Sequence, residues 1–363
     1  MLVTKDNFLS VLYQEVDKSK DDKFDFVNLK GRRVFYPRLG DSCDALVNPS
    51  SVARVSKFQK GDYSIIWGNG NGQKNIEALD FAKRMGAKVV LAEDGFIRST
   101  DVWNSKVDKR FTKGYSVVLD TRGYYFDATR ISTLEKWLND RSVVVSEKDK
   151  ENARRLIGKI VSNKISRYNH QPTAERQYGT RGRKKILVID QTVGDFAVSL
   201  SLANEKTFAK MLDLAIAENP DCDILVKTHP CVKGDTSGKT RGYFQDIPET
   251  GNIIKITDAI NPYSLMGICD KVYVVSSTFG MEALLAGKEV HVFGMPFYAG
   301  WGLTIDDMRM PRRENCRSIE ELFYLFYCRY THWVDPFLRK EVTIDYVIDK
   351  MAALREEYCK VSR

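Results

Sequence analysis

Long apolar runs are missing from this sequence. None of its 363 residues belongs to a stretch approaching the roughly 18 consecutive apolar positions that a membrane helix needs. The first segment, MLVTKDNFLSVLYQEVDKSKDD, lacks the basic start and apolar centre of a signal peptide, so the expected location is the cytoplasm. Paired cysteines are missing too. Seven cysteines (Cys43, Cys222, Cys231, Cys269, Cys316, Cys328 and Cys359) are scattered and never form CxxC, which argues against a disulfide framework and against a zinc site. There is no solenoid-period repeat and no low-complexity tract. The loop GNGNG, at 68–72, does not have the GxGxxG spacing of a dinucleotide fingerprint and is expected only to line a cleft near an acceptor. The triplet Asp221–Cys222–Asp223 mimics a metal motif, but it precedes its strand, at the end away from any cleft. No metal or cofactor is therefore expected, and the absence of a basic-aromatic groove pattern argues against a nucleic-acid partner.

What is present is an ordinary soluble composition, 43% hydrophobic and 29% charged, in a chain long enough for two domains. The net charge of +8 is moderate and dispersed, which suits phosphorylated substrates or an anionic membrane surface. DYSIIWG reads as a buried strand, QKNIEALDFAKRMG as a helix closed by glycine, and AKVVLAEDG as the next strand, together a parallel strand-helix-strand unit. YSVVLDTRGYYFD reads as a strand pair and EKDKENARRLIGKIVSNKI as an amphipathic helix. The polar, basic stretch from Tyr168 to Lys185 looks like a linker. A second alternating block follows, with strands at KILVIDQ, CDILVKTHP, NIIKIT, KVYVVSST and EVHVFG and helices between them. SIEELFYLFYCRYTHWVDPF and TIDYVIDKMAALREEY read as helices packed across the domains. The expected fold class is thus α/β: an amino-terminal Rossmann-like domain over residues 1–180 and a carboxy-terminal one over 181–363 with a helical tail, facing each other across a cleft.

In open parallel sheets, ligands sit beyond the carboxyl ends of the strands, and four strand ends carry chemistry. In VVLAEDGFIRST, Glu93, Asp94 and Gly95 form either a turn or an acid or base on a rigid scaffold, with Arg98 available for an anion. In VIDQTVGDFAV, Gln191 ends the strand and a glycine turn leads to Asp195, which is either a helix N-cap or a nucleophile or general base. In ILVKTHP, Lys227 and His229 form a candidate phosphate-contacting pair, with Pro230 stopping the strand. In VYVVSSTFGMEALLAG, the hydroxyls of Ser276, Ser277 and Thr278 sit at a strand-to-helix junction suited to a phosphate, and Glu282 lies one turn on, placed to accept from ribose hydroxyls.

Taken together, AEDG, QTVGD, KTHP and SSTFGMEALLAG…VFGMPFYAGWGLT resemble the capsule polysaccharide synthesis family that contains the retaining β-Kdo glycosyltransferases, over about Tyr63 to Asp307. A similar motif set occurs in bacterial sialyltransferases, which also use a CMP-activated keto-sugar acid. The resemblance implies a GT-B-like pair of Rossmann domains and CMP-β-Kdo as donor. It also implies Asp195 as the nucleophile that holds Kdo covalently, and Glu93 as the group that activates an acceptor hydroxyl. Asp94 or Gln191 would shape the position of Glu93, and Arg98 would pair with the Kdo carboxylate. A saccharide acceptor, lipid-linked or free, and a peripheral place at the inner face of the inner membrane are the implied partners and location. The rival readings are an inverting CMP-sialic-acid-type transferase, in which Asp195 has no covalent role, and a non-catalytic nucleotide-sugar binding module.

Overall fold

The computed structural model describes residues 34–35, 63–68, 84, 86, 88–102, 105–173, 176–229, 240–338 and 340–361. The expected helix over 73–86 (apart from 84 and 86), the glycine loop after Gly68, Pro230, Cys43 and Cys231 lie outside the described residues. Two six-stranded sheets organise the rest.

The first sheet begins with three parallel strands, β1 (Val34–Phe35), β2 (Tyr63–Trp67) and β3 (Lys88–Asp94). β4 (Ser116–Asp120) then runs antiparallel to β3, with Glu93 opposite Val118 and Asp94 opposite Val117. Its sequence SVVLD is buried throughout. The chain does not return as a second strand after it. Asp120 accepts from the backbone N–H groups of Arg122 and Gly123 and from Thr133, turning the chain out into a loop. Tyr125 in that loop is drawn into an aromatic cluster with Phe297, Phe326 and Tyr330. Two serine-capped helices follow, α1 (Thr133–Asn139) and α2 (Glu147–Ser162), each with the cap hydroxyl accepting the N–H three residues on.

The second sheet is entirely parallel. Its strands are β5 (Lys185–Ile189), β6 (Asp223–Lys227), β7 (Ile253–Ile256), β8 (Lys271–Val274), β9 (Glu289–Val292) and β10 (Ile305–Asp306), with α3 (Phe196–Leu200), α4 (Glu205–Ala217), α5 (Pro262–Met266) and α6 (Phe279–Leu285) between them. β5 and β6 are buried at every position, as continuous apolar runs covered on both faces should be. The order β7-β6-β5-β8-β9-β10 is the doubly wound order of a Rossmann fold. Its topological switch point therefore falls between β5 and β8, which pair directly.

The carboxy-terminal segment departs from the helical expectation. α7 (Ile319–Phe323) starts in a capping box between Ser318 and Glu321 and continues as a wider helical turn over Tyr324–Tyr330. The next five residues, Thr331–Asp335, are strand β11, antiparallel to β4. Thr-His-Trp-Val is β-branched and aromatic, and it finds in β4 an unpaired sheet edge to complete. Thr331 Oγ1 donates to Phe326 O (2.8 Å) and Trp333 Nε1 to Tyr327 O (2.6 Å), fastening the strand to the helix it leaves. β12 (Lys340–Glu341) pairs with β11, and α8 (Ile344–Val361) returns to α2 through Arg155–Asp345, Lys159–Asp345 and Lys159–Asp349. The division at 180/181 is corrected accordingly: residues 331–335 and 340–341 belong to the first sheet, so that unit is assembled from both ends of the chain. Arg312 and Arg313, both paired with Glu135 on α1, and Arg317, which donates to carbonyls of Trp137, Leu138, Asp140 and Val143, hold the returning segment in place.

Among the described residues no helix is long and apolar enough to cross a membrane.

Candidate active site between the two sheets

A cavity of about 470 Å³ lies where the two sheets face each other. The second sheet contributes the residues following β5, β6 and β8, which is where a doubly wound sheet leaves a crevice. Asp190, the first residue after β5, is buried and accepts from the N–H groups of Gln191 (2.9 Å), Tyr243 (2.9 Å) and Phe244 (3.3 Å). Burial nonetheless pushes its carboxyl up to about 6. This clamp fixes the loop from which Gln191 reaches across the switch point: its Oε1 accepts from Ser276 N (2.9 Å) and its Nε2 donates to Ser276 Oγ (3.1 Å).

The turn after Gln191 closes with Asp195 N donating to Thr192 O, and Gly194 at φ +84° occupies the left-handed position that such a turn reserves for glycine. Asp195 lines the cavity and also caps α3, with Oδ1 accepting from Ala197 N at 2.9 Å. The N-cap reading of this residue is met, and the same residue lines the cavity. His229 stands beside it, with Thr192 Oγ1 3.3 Å from Nδ1. Burial holds its pKa below the usual range, opposed by Asp195 and reinforced by Lys227, so it is neutral at physiological pH. Lys227 Nζ donates to Thr228 O (2.9 Å) and lies 3.5 Å from Ile256 O, and it too reaches the wall.

Ser276, Ser277 and Thr278 form the junction into α6 and line the cavity. Tyr298 donates to Ser277 O at 2.5 Å, and only a glycine at 280 leaves room for that ring: a Cβ there would sit 2.7 Å from Tyr298 Cζ. Glu282 is also in the wall, but one of its oxygens accepts from Ser166 Oγ (2.5 Å) and Arg167 N (3.3 Å), which come from the end of the first unit. Burial raises its carboxyl to about 7 against those hydrogen bonds and the pull of Arg167.

From the first sheet, Glu93 enters the cavity. Burial, then the neighbouring Asp94, push its carboxyl up to about 7, opposed by Arg167, the Asp94 N–H and Arg98. A carboxyl balanced between its two protonation states near neutral pH is what proton transfer to or from a substrate hydroxyl requires. Asp94 turns the other way, as alternation along a strand dictates, and pairs with Arg98 Nε at 2.7 Å. That pairing corrects the expectation for Arg98. It is 1% exposed, its Nη1 donates to Ser99 Oγ and Thr112 O, and it does not reach the cavity. Proximity in sequence suggested an anion site, whereas the short spacing to Asp94 makes a structural ion pair. Gly95 is structural as well: its N–H donates to Ser116 O, and a Cβ there would lie 2.6 Å from Ser116 Cβ.

Among the described residues the cation that does face the cavity from this side is Arg167, immediately before the linker and without any motif around it. Tyr125, Phe126, Phe297 and Tyr298 supply an aromatic wall.

The family model described as capsule polysaccharide biosynthesis protein matches residues 64–332. The chain belongs to this family. It is 34% identical over 316 residues to the capsule polysaccharide modification protein LipA of Neisseria meningitidis serogroup A, covering 85% of this chain and 44% of that protein. To the lipopolysaccharide-processing protein LpsZ of Rhizobium meliloti it is 31% identical over 277 residues, covering 76% of this chain and 61% of that protein. The chain thus spans about half the length of these family relatives. Among solved structures, the β-Kdo 2,4 transferase of Thermosulfurimonas dismutans KpsC superposes with a TM-score of 0.72 at 36% identity, over 80% of this chain and 86% of that one. The β-Kdo 2,7 transferase of the same protein gives 0.59 at 27% identity, over 81% and 86%. The GT-B-like arrangement of two α/β units about a cleft is shared with them.

Proposed function

We propose that this chain is a retaining glycosyltransferase that moves Kdo from CMP-β-Kdo to a saccharide acceptor during synthesis of a capsular or surface polysaccharide. The observation that carries the reading is the composition of one cavity. Glu93 from the first sheet enters the same space as Asp195, His229, Gln191 and Ser276–Thr278 from the switch point of the second. The likeness to two β-Kdo transferases over four-fifths of the chain supports it.

In this mechanism the CMP moiety lies over the ends of β5, β6 and β8. The phosphate meets neutral His229, Lys227 and the Ser276–Thr278 hydroxyls, and Glu282 offers its second oxygen to the ribose. Because α6 is only seven residues long, the hydroxyls and backbone N–H groups rather than a long helix dipole are the donors that matter. A single phosphodiester leaving group can depart on such donors without a metal. In the first displacement Asp195 forms a bond to Kdo C2 as the C2–O bond to CMP breaks, and the electron pair leaves with CMP. In the second, the acceptor hydroxyl gives its proton to Glu93 and attacks C2, and the bond to Asp195 breaks, restoring the carboxylate. Two inversions return the β configuration.

The capping bond of Asp195 favours a second reading, an inverting transferase in which Asp195 only shapes the turn. Product analysis separates the two. Incubation with CMP-β-Kdo and a Kdo-terminated oligosaccharide, followed by NMR, is expected to show CMP release and a β-linked Kdo. An α-linked product would establish inversion, and absence of transfer to any saccharide would remove the enzyme assignment.

A further inference from the structure

We propose that Arg167 recognises the carboxylate of the donor sugar, which restricts the site to keto-sugar acids and excludes neutral sugars. The inference rests on the nucleotide-sugar reading above but follows from features of Arg167 itself.

Its backbone is pinned from both units. Arg167 N donates to Glu282 of the second unit (3.3 Å), and Arg167 O accepts from Arg98 N (3.1 Å) and Ser99 N (3.3 Å) of the first. The side chain therefore leaves a fixed point on the seam of the cleft. Its Nη1 donates to Gly95 O at 3.3 Å, a long bond to a neutral acceptor, and its Cζ lies 5.9 Å from the Tyr168 ring. Among the described residues the guanidinium forms no ion pair within 4.0 Å, unlike buried Arg98 on Asp94 or Arg313 on Glu135. Burial disfavours its charge, but Tyr168, Tyr125, Asp94 and Glu93 around it more than offset that, so it stays cationic. A half-buried guanidinium without a committed carboxylate, set in a wall of Tyr125, Phe126 and Phe297, is a preorganised partner for an incoming one.

Among the described residues Lys227 is the other lysine or arginine of the wall, and it is directed at the carbonyls of Thr228 and Ile256, where the nucleotide is placed. Arg167 instead adjoins Glu93, at the end where the sugar and the acceptor hydroxyl must meet. A carboxylate on C1 of the sugar, one bond from the reacting C2, would sit against Arg167 while C2 faces the two catalytic carboxyls.

Initial-rate measurements with three ligands test this: KM for CMP-Kdo, and inhibition constants for CMP and for the C1 amide of CMP-Kdo. The wild type is expected to prefer the acid over the amide by about 10- to 100-fold, the range for hydrogen bonds to a charged group. Arg167→Gln should remove that preference while leaving the CMP constant within about twofold, and Arg167→Lys should keep part of it. Equal binding of acid and amide by the wild type would overturn the assignment without any variant. So would an Arg167→Gln enzyme that loses CMP and CMP-Kdo affinity in equal measure. A wild type that binds neither CMP nor CMP-Kdo would instead remove the donor reading, and this inference with it.

Discussion

The ends of the two sheets meet in one cavity and are built on opposite physical plans. On the second sheet, backbone N–H groups, hydroxyls and a neutral histidine converge on the switch point, and Gln191 ties β5 to β8. Such a surface holds an anion and has little need to exchange protons. On the first sheet a carboxyl, Glu93, is carried into a low-dielectric wall and raised to about 7, beside an ion pair of Asp94 and Arg98 that fixes its strand end. Such a surface is suited to moving protons. Three carboxyls, Asp190, Asp195 and Glu282, also line the anion-holding side: Asp190 and Glu282 accept hydrogen bonds from buried partners, and Asp195 caps α3 through one oxygen. Under the proposed mechanism, departure of CMP and activation of the acceptor fall to different sheets, a division that substitution can break.

The largest effects should fall on the carboxyls. Asp195→Ala is expected to lower transfer at least about 10³-fold, as removal of a nucleophile does. Glu93→Gln should cost about 10²- to 10⁴-fold, and kcat/KM of the wild type should rise with pH through about 7 on its acid limb, a rise that the variant lacks. If Glu93→Gln lowers only donor affinity, the division of labour between the sheets fails.

Next in size is a packing effect on the anion side. Gly280→Ala forces a methyl group against the buried Tyr298 ring, which holds Ser277 O. A destabilisation of about 1–3 kcal/mol, read in thermal or denaturant unfolding, is expected for such overpacking. Weaker CMP binding should accompany it, because Ser277 must shift with the ring.

A smaller effect concerns stability and pH. Glu93 and Glu282 are both raised from 4.5 to about 7, chiefly by burial, so the folded state binds more protons than the unfolded state between those values. Their contribution is fully present below about pH 4.5 and is lost as pH rises through about 7. Melting temperature should therefore fall between about pH 5 and pH 8, and Glu282→Gln, which keeps an acceptor for Ser166, should flatten the fall. An unchanged slope would mean that Glu282 is not held protonated by the fold. Smallest of all, EDTA should leave the transfer rate unaltered, and a loss reversed by a divalent cation would refute the metal-free departure of CMP.

How much of this was legible in the sequence depended on the range of the interaction. The all-parallel sheet was, because KILVI, DILVK and VYVV are continuous apolar runs whose burial on both faces follows from composition. Glu93, Asp195, His229 and Ser276 were legible for a related reason: Glu93 lies at the carboxyl end of β3, and His229, Ser276 and, after a short turn, Asp195 follow β6, β8 and β5, where strand ends open on a crevice. The partnerships were not. Arg98 looked available because its pairing with Asp94 is a matter of side-chain direction, whereas Arg167 lies outside every motif and reaches Glu93 only through the tertiary fold. Glu282 sits one turn into its helix as expected, but its bond to Ser166 spans 116 positions. The carboxy-terminal strand was hidden by the aromatic run before it: LFYLFYCRY continues a helical pattern, and only an open edge on β4 explains why the chain turns extended at Thr331.

Intact-mass measurement of the protein incubated with CMP-Kdo and no acceptor tests the central claim most directly. The wild type is expected to gain the mass of one Kdo residue, mapped by peptide analysis to Asp195. The adduct should accumulate in Glu93→Gln on addition of acceptor and be absent from Asp195→Ala. No adduct on the wild type, together with an active Asp195→Ala enzyme, would contradict the double displacement and assign the reaction to a single inverting step.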